Sequence, residues 1–328
     1  MSESTLQVIG IGNPCVDYIS VLDKLPKPNS GAGIRDFSRQ GGGVVPTAIV
    51  AAARLGVRCG FVGVTGSCTN GRFIQADFRR HGIDISRSVV HEGAYADFAI
   101  ILSDLETNGR SIIYRRGDGR HLTVADLDRD YITSADFLHL AGHGEVDRQA
   151  ARWMKEAGKT VVYDASGYSP ELDSLLPDID VFIASEFYYD DAFQGKDTYE
   201  ENCRSILDKG PKTVVFTLGE KGSVGLSSEG FFQAPGYQVD VVDTVGAGDV
   251  YHGAFLAGLA KGWTMEKTAQ FANAVAALKI GAIGGRAGIP TYETTQAFIA
   301  DGSINLQERQ ERVDFYRNMW MFSESADV

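Results

Sequence analysis

Short apolar runs alternate with longer amphipathic segments through the second half of the chain. The runs contain the β-branched and aromatic residues typical of buried strands, and they lie at 137–140, 160–163, 181–184 and 213–218. The segments at 146–157 and 199–208 place apolar residues at helical spacing, as do four later ones at 249–261, 264–280, 292–300 and 304–318. This alternation predicts an α/β fold whose parallel strands are joined by right-handed crossovers.

The first half shows the same pattern with two interruptions. Strands are predicted at 6–11 and 59–64, and helices at 44–55 and 72–81. Two further stretches contain only short strand-like runs, at 16–22, 34–38, 98–102 and 111–114, the last two flanking an Asn108-Gly109 hairpin signal. These stretches predict a small β element outside the main sheet.

One glycine turn leads directly into an apolar helix and carries the strongest chemical signal. The sequence runs Asp243-Thr244-Val245-Gly246-Ala247-Gly248-Asp249 and continues into small and apolar residues. Backbone N–H groups at a helix N-terminus attract anions, but a carboxylate beside them repels a phosphate. Asp249 could be an ordinary N-cap on an ordinary turn. The full pattern favours an anion hole beside a proton acceptor.

Other polar residues follow predicted strands and are expected at the same rim of the sheet as Asp249. These are Asp17, Asp164 and Glu186, each of which alone would suit a loop or a helix cap. A second glycine turn at 41–43 also precedes a helix, where close packing and ligand contact are equally reasonable explanations. Arg115-Arg116, before a Gly-Asp-Gly turn, fits either an anionic ligand or a solvated loop.

Composition limits the class of protein. The chain has 328 residues, enough for one large α/β core, and a net charge of −12, which argues against nucleic acid or an anionic membrane as its main partner. Four cysteines without C-x-x-C spacing predict reduced thiols in a cytoplasmic protein. No secretory signal or membrane-spanning stretch is expected.

These motifs, in this order, resemble the ribokinase (PfkB-type) family of carbohydrate kinases. The run 243–249 is similar to the family's C-terminal signature, and Gly42-Gly43 with the alanine-rich segment ending at Gly56 resembles its N-terminal one. Gly12 to Asp17 and Thr217-Leu218-Gly219 resemble its sugar-binding and nucleotide-binding strand ends. The resemblance implies a doubly wound, mostly parallel α/β core (1–13, 41–95 and 116–328) and a small β lid (14–40 and 96–115) that pairs into homodimers in many members.

The implied reaction transfers the γ-phosphoryl group of ATP, with Mg²⁺, to a hydroxyl of a small sugar, usually a primary one. Asp249 would accept the hydroxyl proton, and the amides of Gly246, Ala247 and Gly248 would stabilise the phosphoryl group. The resemblance assigns the other contacts by position. The sugar contacts are Asp17, Gly42, Gly43, Thr47 and Arg115, the nucleotide contacts Thr217, Gly219, Gly222 and Asn273, and the metal contacts Glu186 for Mg²⁺ and Asp243 for a K⁺ ion found in part of the family.

The chain departs from the family in two respects. An Asn-x-x-Glu motif near the phosphates is replaced by Ser185-Glu186-Phe187-Tyr188, leaving Glu186, Asp190 or Asp191 to act on Mg²⁺. The runs 241–253 and 284–290 are most similar to the sulfofructose kinase branch. Its sulfonate-binding positions, however, hold Gly31, Tyr114 and His143, so the likeness does not extend to the substrate. Arg286 could face the nucleotide, close the cation loop or form a packing salt bridge.

Two alternatives to a sugar kinase stay open at this stage. An aromatic pocket containing Tyr95, Phe98 and Tyr114 would suit a nucleoside kinase on the same fold. Loss of the Asn-x-x-Glu motif would suit a non-catalytic sugar-binding regulator, although Asp249 and its glycine turn are present. A dinucleotide-binding oxidoreductase is disfavoured, because the turn after the first strand, Gly10-Ile11-Gly12-Asn13-Pro14-Cys15, lacks the third glycine of G-x-G-x-x-G.

Overall fold

Strands and helices alternate along the chain in the computed structural model, which describes residues 5–107, 109–194 and 198–318. In chain order the strands are β1 (Val8–Ile11), β2 (Cys15–Leu22), β3 (Ile34–Gly42), β4 (Cys59–Val62), β5 (Val64–Gly66), β6 (Val89–His91), β7 (Asp97–Asp104), β8 (Gly109–Arg115), β9 (Phe137–Leu140), β10 (Thr160–Ala165), β11 (Val181–Ser185), β12 (Thr213–Thr217), β13 (Ser223–Ser227) and β14 (Gly230–Ala234). The helices are α1 (Val44–Arg54), α2 (Thr69–Arg80), α3 (Arg129–Ser134), α4 (Glu145–Glu156), α5 (Glu186–Phe193), α6 (Tyr199–Leu207), α7 (Ala247–Ala260), α8 (Met265–Lys279), α9 (Tyr292–Asp301) and α10 (Leu306–Asn318).

The central sheet has eight strands in the order β14-β13-β12-β11-β10-β9-β1-β4. The six strands from β12 to β4 pair in parallel, and β13 and β14 complete one edge as antiparallel strands. Consecutive residues Val214, Val215 and Phe216 are all buried, as expected of a parallel sheet covered on both faces. The predicted parallel core is therefore confirmed.

Helices cover both faces of this sheet. On one face α1, α7 and α8 share an apolar core that includes Ile49, Phe255 and Phe271. On the other face α4 and α6 contribute Met154 and Ile206 to a second core. This is the doubly wound arrangement, and it places the carboxyl ends of the parallel strands along one rim.

A second sheet has the strand order β3-β2-β7-β8 and contains the two predicted β excursions. Here β2 pairs in parallel with β7, while the β2–β3 and β7–β8 pairs are antiparallel. The sheet extends beyond the predicted boundary, because β3 continues to Gly42, which pairs with Cys15. We refer to these four strands as the small sheet. Strands β7 and β8 form the predicted hairpin, in which Asp104 pairs with Gly109, and Asn108 of the predicted turn is outside the described residues.

Some elements differ from the prediction. Helix α2 begins at Thr69 instead of residue 72, because the Cys68 thiol caps it by accepting from the Gly71 N–H at 3.5 Å, a role seldom taken by cysteine. The short elements α3, α5, β5 and β6 were not predicted, since each is too brief to show a period. All four cysteines are free thiols. In the described ranges, no helix has the length and apolarity needed to span a bilayer.

Candidate active site

The glycine turn 243–248 delivers the chain into the N-terminus of α7. Gly246 has a φ of 73°, a left-handed conformation that favours glycine, and a Cβ there would lie 2.9 Å from the Cα of Gly285. The first helical turn contains Gly248, where an added Cβ would meet no heavy atom within 4 Å. The first N–H groups of a helix have no intrahelical acceptor, which suits a phosphoryl group at this end. The N–H of Ala247 already donates to the Thr244 carbonyl oxygen at 3.2 Å, so its contact with a phosphoryl group stays a prediction.

Asp249 lies in that first turn and is half-buried. Burial of its carboxyl, reinforced by the negative charge of Asp17, raises its pKa to about 7. The cations of Lys279, Arg286 and Arg110 oppose this rise. A carboxylate with a pKa close to neutral pH is a stronger proton acceptor than an exposed aspartate while remaining substantially ionised.

Asp17 lies opposite this helix end on strand β2. It follows β1 in the chain and belongs to the predicted strand-like run 16–22, which is part of β2 in the small sheet, where it pairs with Gln40 and Ala99. Its carboxyl is buried against Gly42, where any Cβ would overlap it, and burial raises its pKa. Close packing therefore explains the glycine at position 42, because any side chain there would overlap the carboxyl of Asp17. Contact of Gly42 with a sugar stays a prediction.

Gly43 and Thr47 begin helix α1. Gly43 has a φ of 98° at the N-cap, and its carbonyl accepts from the N–H of Thr47 at 2.9 Å. The Thr47 side chain is buried, and its methyl group lies 3.7 Å from the positions that a Cβ would take at Gly246 and Gly285. Thr47 therefore packs against the glycine turn. Its contact with a sugar stays a prediction.

Strand β12 ends beside the carboxylate of Glu186. After Thr217 the chain turns through Gly219 to Gly222, where a Cβ would overlap the carbonyl oxygen of Ala234. A Cβ at Gly219 would lie 3.4 Å from Oε1 of Glu186, which is exposed in the first turn of α5. Mg²⁺ in kinases is held by few carboxylates, several waters and the phosphates. An exposed carboxylate at the predicted nucleotide loop fits such an ion.

Asn273 is buried on α8, on the side of the sheet edge that carries the predicted nucleotide loop. Its amide nitrogen donates to the Ala234 carbonyl at 2.8 Å and lies within 3.3 Å of the Ser223 hydroxyl and the Pro235 carbonyl. These contacts tie α8 to β13 and β14. The amide nitrogen is thus committed within the protein, and direct contact of Asn273 with a nucleotide stays a prediction.

The loop beside Asp243 does not fit the predicted K⁺ ion. The Asp243 carboxylate accepts from the backbone N–H of Val245 at 3.0 Å and of Gly284 at 2.8 Å. The backbone carbonyl oxygens of Asp243 and Val245 both accept from the ammonium of Lys279. A cation is therefore already present at these carbonyls, and it belongs to the chain.

One arginine of β8, Arg110, contacts the glycine turn 243–248. In the small sheet Arg115 pairs with Phe98 and lies on the face opposite Asp17, whereas Arg110 pairs with Ser103 on the same face as Asp17. Arg110 Nη1 donates to the Thr244 hydroxyl at 3.1 Å. Sequence reasoning did not identify Arg110, and contact of Arg115 with a sugar stays a prediction.

Arg286 forms a buried packing ion pair. Its guanidinium contacts the Asp77 carboxylate and lies 3.4 Å from the carbonyl oxygen of Gly42. A Cβ at Gly41 would overlap this guanidinium. Of the roles considered from sequence, the packing salt bridge is the one observed. The positive charge of Arg286 also lowers the pKa of Asp249.

A buried polar cluster behind Asp249 was also missed. Asp164 lies on β10 with an oxygen 3.2 Å from Nε2 of His252, whose ring centre is 5.5 Å from that of His139. Burial, together with the charge of Asp249, raises the pKa of Asp164, and burial lowers the pKa of both histidines. Asp164 is thus at the predicted rim, but enclosed beneath it and electrostatically coupled to Asp249.

Known proteins similar in sequence are kinases of small metabolites. The 5-dehydro-2-deoxygluconokinase of Clostridium perfringens is 28% identical over 317 residues, covering 89% of this chain and 92% of its own length. The nucleoside kinase of Methanothermobacter thermautotrophicus is 26% identical over 307 residues, covering 92% of this chain and 97% of its own. Similarity therefore extends over whole proteins.

Structural similarity covers the same span. The crystal structure of ribokinase from Thermotoga maritima superposes with a TM-score of 0.78 at 24% identity, covering 90% of this chain and 100% of that one, which confirms the ribokinase-like fold. The family profile described as "pfkB family carbohydrate kinase" matches residues 5–292. The architecture, the glycine turn and this match agree: the chain belongs to the pfkB family of carbohydrate kinases.

Proposed function

We propose that this kinase transfers the γ-phosphoryl group of ATP to a hydroxyl of a sugar derivative, with Asp249 as the general base. One observation carries the proposal: a carboxylate with a pKa raised to about 7 lies in the first turn of α7, next to Gly248, where an added Cβ would meet no heavy atom within 4 Å. The base and the anion hole are therefore three residues apart at most. Phosphoryl transfer requires mainly such positioning and charge stabilisation.

Acceptor binding, proton transfer and phosphoryl stabilisation are each assigned to different residues of the chain. Asp17 binds acceptor hydroxyls from the small sheet and directs one of them toward Asp249. As the acceptor oxygen forms its bond to the γ-phosphorus, its proton passes to Asp249, and the bond from that phosphorus to the bridging oxygen of ADP breaks. The amides of Gly246, Ala247 and Gly248 stabilise the charge on the phosphoryl oxygens. The proton then leaves Asp249 for solvent.

The nucleotide side of the site is supplied by the loop after β12. Thr217, Gly219 and Gly222 would hold ATP, and Glu186 would hold Mg²⁺ through water. When bound, Mg²⁺ supplies charge neutralisation for the phosphates. The carboxylates of Asp190 and Asp191 are further along the same helix, so Glu186 is the better candidate to replace the missing Asn-x-x-Glu motif.

A polar cleft suggests that the acceptor carries a negative charge. The cleft is lined by Asn13, near the sugar site, and by Tyr95 and Arg116. The neighbouring Arg120 is paired with Asp126 at 2.6 Å, which leaves Arg116 as the arginine better suited to a ligand. A sugar acid or sugar phosphate would satisfy this charge. The resemblance to the sulfofructose kinase branch, drawn from the sequence, stays a prediction.

A nucleoside is the second candidate acceptor. Tyr95 lines the cleft with 60% of its surface exposed, so a base could stack on it. A relative named as a nucleoside kinase supports the same reading. The presence of an arginine in the cleft makes the anionic sugar derivative our first choice.

A screen of ADP release with MgATP tests these proposals. Sugar acids, sugar phosphates, sulfosugars, neutral ketoses and aldoses, and nucleosides would be compared at equal concentration. We expect turnover with an anionic sugar derivative, and for Arg116→Ala a KM for that acceptor raised at least about 10-fold with kcat little changed. Turnover with nucleosides alone would favour the second candidate. No turnover with any acceptor would contradict kinase activity on this panel.

The small sheet is proposed to be a lid that also pairs two chains. Ile100 and Ile113 pair across β7 and β8 on one face of this sheet, and both are exposed. A pair of exposed isoleucines on a sheet face favours association with a second copy. The free thiols suit an enzyme of a reducing compartment such as the cytoplasm.

A further inference from the structure

Lys279 is a fully buried cation next to the glycine turn 243–248. It is the last residue of α8, and its side chain is 0% exposed. The ammonium donates to the backbone carbonyl oxygen of Asp243 at 2.9 Å and to that of Val245. Burial lowers its pKa to about 8, with Asp243 and Asp249 opposing the fall, so the group is mostly charged at neutral pH.

The two carbonyls belong to the turn that forms the anion hole. Asp243 and Val245 direct their oxygens at one point, and Gly246 follows directly as the N-cap of α7. Without a cation, these buried carbonyl dipoles would lack their shared donor, and the turn would be free to rotate its amides away from the phosphoryl site. The same positive charge favours the ionised form of Asp249.

We propose that Lys279 is a tethered replacement for a monovalent cation: its ammonium holds the 243–246 turn in the conformation that binds the phosphoryl group, and turnover is therefore independent of added K⁺. Lys279 acts through the turn, so it is a positioning residue. The proposal rests on the kinase function proposed above. The proposal also explains why the loop beside Asp243 does not fit K⁺: the ammonium of Lys279 takes the place of the ion.

The test compares the natural enzyme and variants in KCl, NH₄Cl and tetramethylammonium chloride at equal ionic strength. We expect the natural enzyme to release ADP at the same rate in all three. Lys279→Ala opens a space for an ion, so its kcat should fall about 10- to 100-fold in tetramethylammonium and recover in K⁺ or NH₄⁺. Lys279→Met fills the space without charge and should stay slow in every salt. Lys267→Ala, on the exposed side of α8, is the matched control.

A second readout does not depend on turnover. The thermal unfolding midpoint of Lys279→Ala should rise in K⁺ or NH₄⁺ relative to tetramethylammonium, and that of the natural protein should not. Stimulation of the natural enzyme by K⁺, or full activity of Lys279→Ala without it, would overturn the proposal. If no acceptor were turned over, the proposed function would fail, and the unfolding midpoints would still report on the cation site.

Discussion

At the scale of single residues, the chemistry depends on a carboxylate that is difficult to ionise. Partial burial and the negative charge of Asp17 raise the pKa of Asp249, while Lys279, Arg286 and Arg110 limit the rise. Removing any of these charges should move the pKa in a known direction. The balance places the proton affinity of Asp249 where a base can both take and release a proton at neutral pH.

The pH dependence of kcat/KM for the acceptor tests this balance. Asp249 must be ionised to accept the proton, and its pKa is raised to about 7. We therefore expect kcat/KM to rise about tenfold per pH unit below pH 7 and to level off above it. Initial rates of ADP release between pH 5 and about pH 8 would measure the profile. A plateau already reached at pH 5 would show that the base has an ordinary aspartate pKa.

At the scale of elements, the N-terminus of α7 combines a helix end with room for a ligand. An added Cβ at Gly248 would meet no heavy atom within 4 Å, so packing does not require glycine there. If the phosphoryl group binds at this helix end as proposed, a methyl group added there would lie beside it. A substitution at Gly248 can therefore test ligand binding without disturbing the fold.

Gly248→Ala should therefore keep the fold and lose activity. We expect kcat to fall about 10²- to 10³-fold, the usual effect of damaging an oxyanion hole, and the unfolding midpoint not to fall, because alanine favours a helix over glycine. Gly33→Ala is the control, since a Cβ there also meets open space. Equal activity of the two variants would place the phosphoryl group elsewhere.

Strand β8 is linked to the catalytic turn through Arg110 and Thr244. Because the Arg110 charge lowers the pKa of Asp249, Arg110→Ala should shift the kcat/KM profile to higher pH and lower the rate at pH 6. Arg110→Lys keeps the charge and should keep the midpoint close to that of the natural enzyme. An unchanged midpoint in Arg110→Ala would mean that β8 does not influence the base.

Individual residues show what sequence could and could not predict about these elements. The strands β9 and β11 and the Asp249 turn follow from local apolar patterns and glycine chemistry, which act over a few residues. Which arginine of β8 faces the site depends on strand register, and a shift of one residue moves every side chain to the other face. Lys279 was missed because its partners lie 36 and 34 residues away and are backbone atoms.

At the scale of the whole molecule, the β7–β8 part of the small sheet exposes apolar side chains. Its exposed Ile100 and Ile113 contrast with Ile19 and Ile101, which are buried on the face toward the core. The face that bears Ile100 and Ile113 also bears Val16, which is buried, so the exposed part at β7 and β8 is the part expected to associate with a second copy.

Light scattering after size-exclusion chromatography tests this association. We expect a dimer for the natural chain and a monomer for Ile113→Asp. Leu306→Asp provides the control, because Leu306 is exposed to the same degree, 60% against 59%, and lies at the start of α10. A monomeric natural chain, or equal behaviour of both variants, would contradict pairing through the small sheet.

The central claim is that Asp249 accepts the proton during phosphoryl transfer, and Asp249→Asn tests it most directly. With an acceptor identified by the screen, kcat for ADP release should fall by at least about 100-fold. The folded-state pKa of Asp249, about 7, exceeds its ordinary value of 3.8, so stability is lost as the pH rises between these two values, and the loss is complete at pH 8. The variant should therefore unfold at no lower temperature than the natural protein at pH 8. A folded Asp249→Asn enzyme with full turnover would contradict the account.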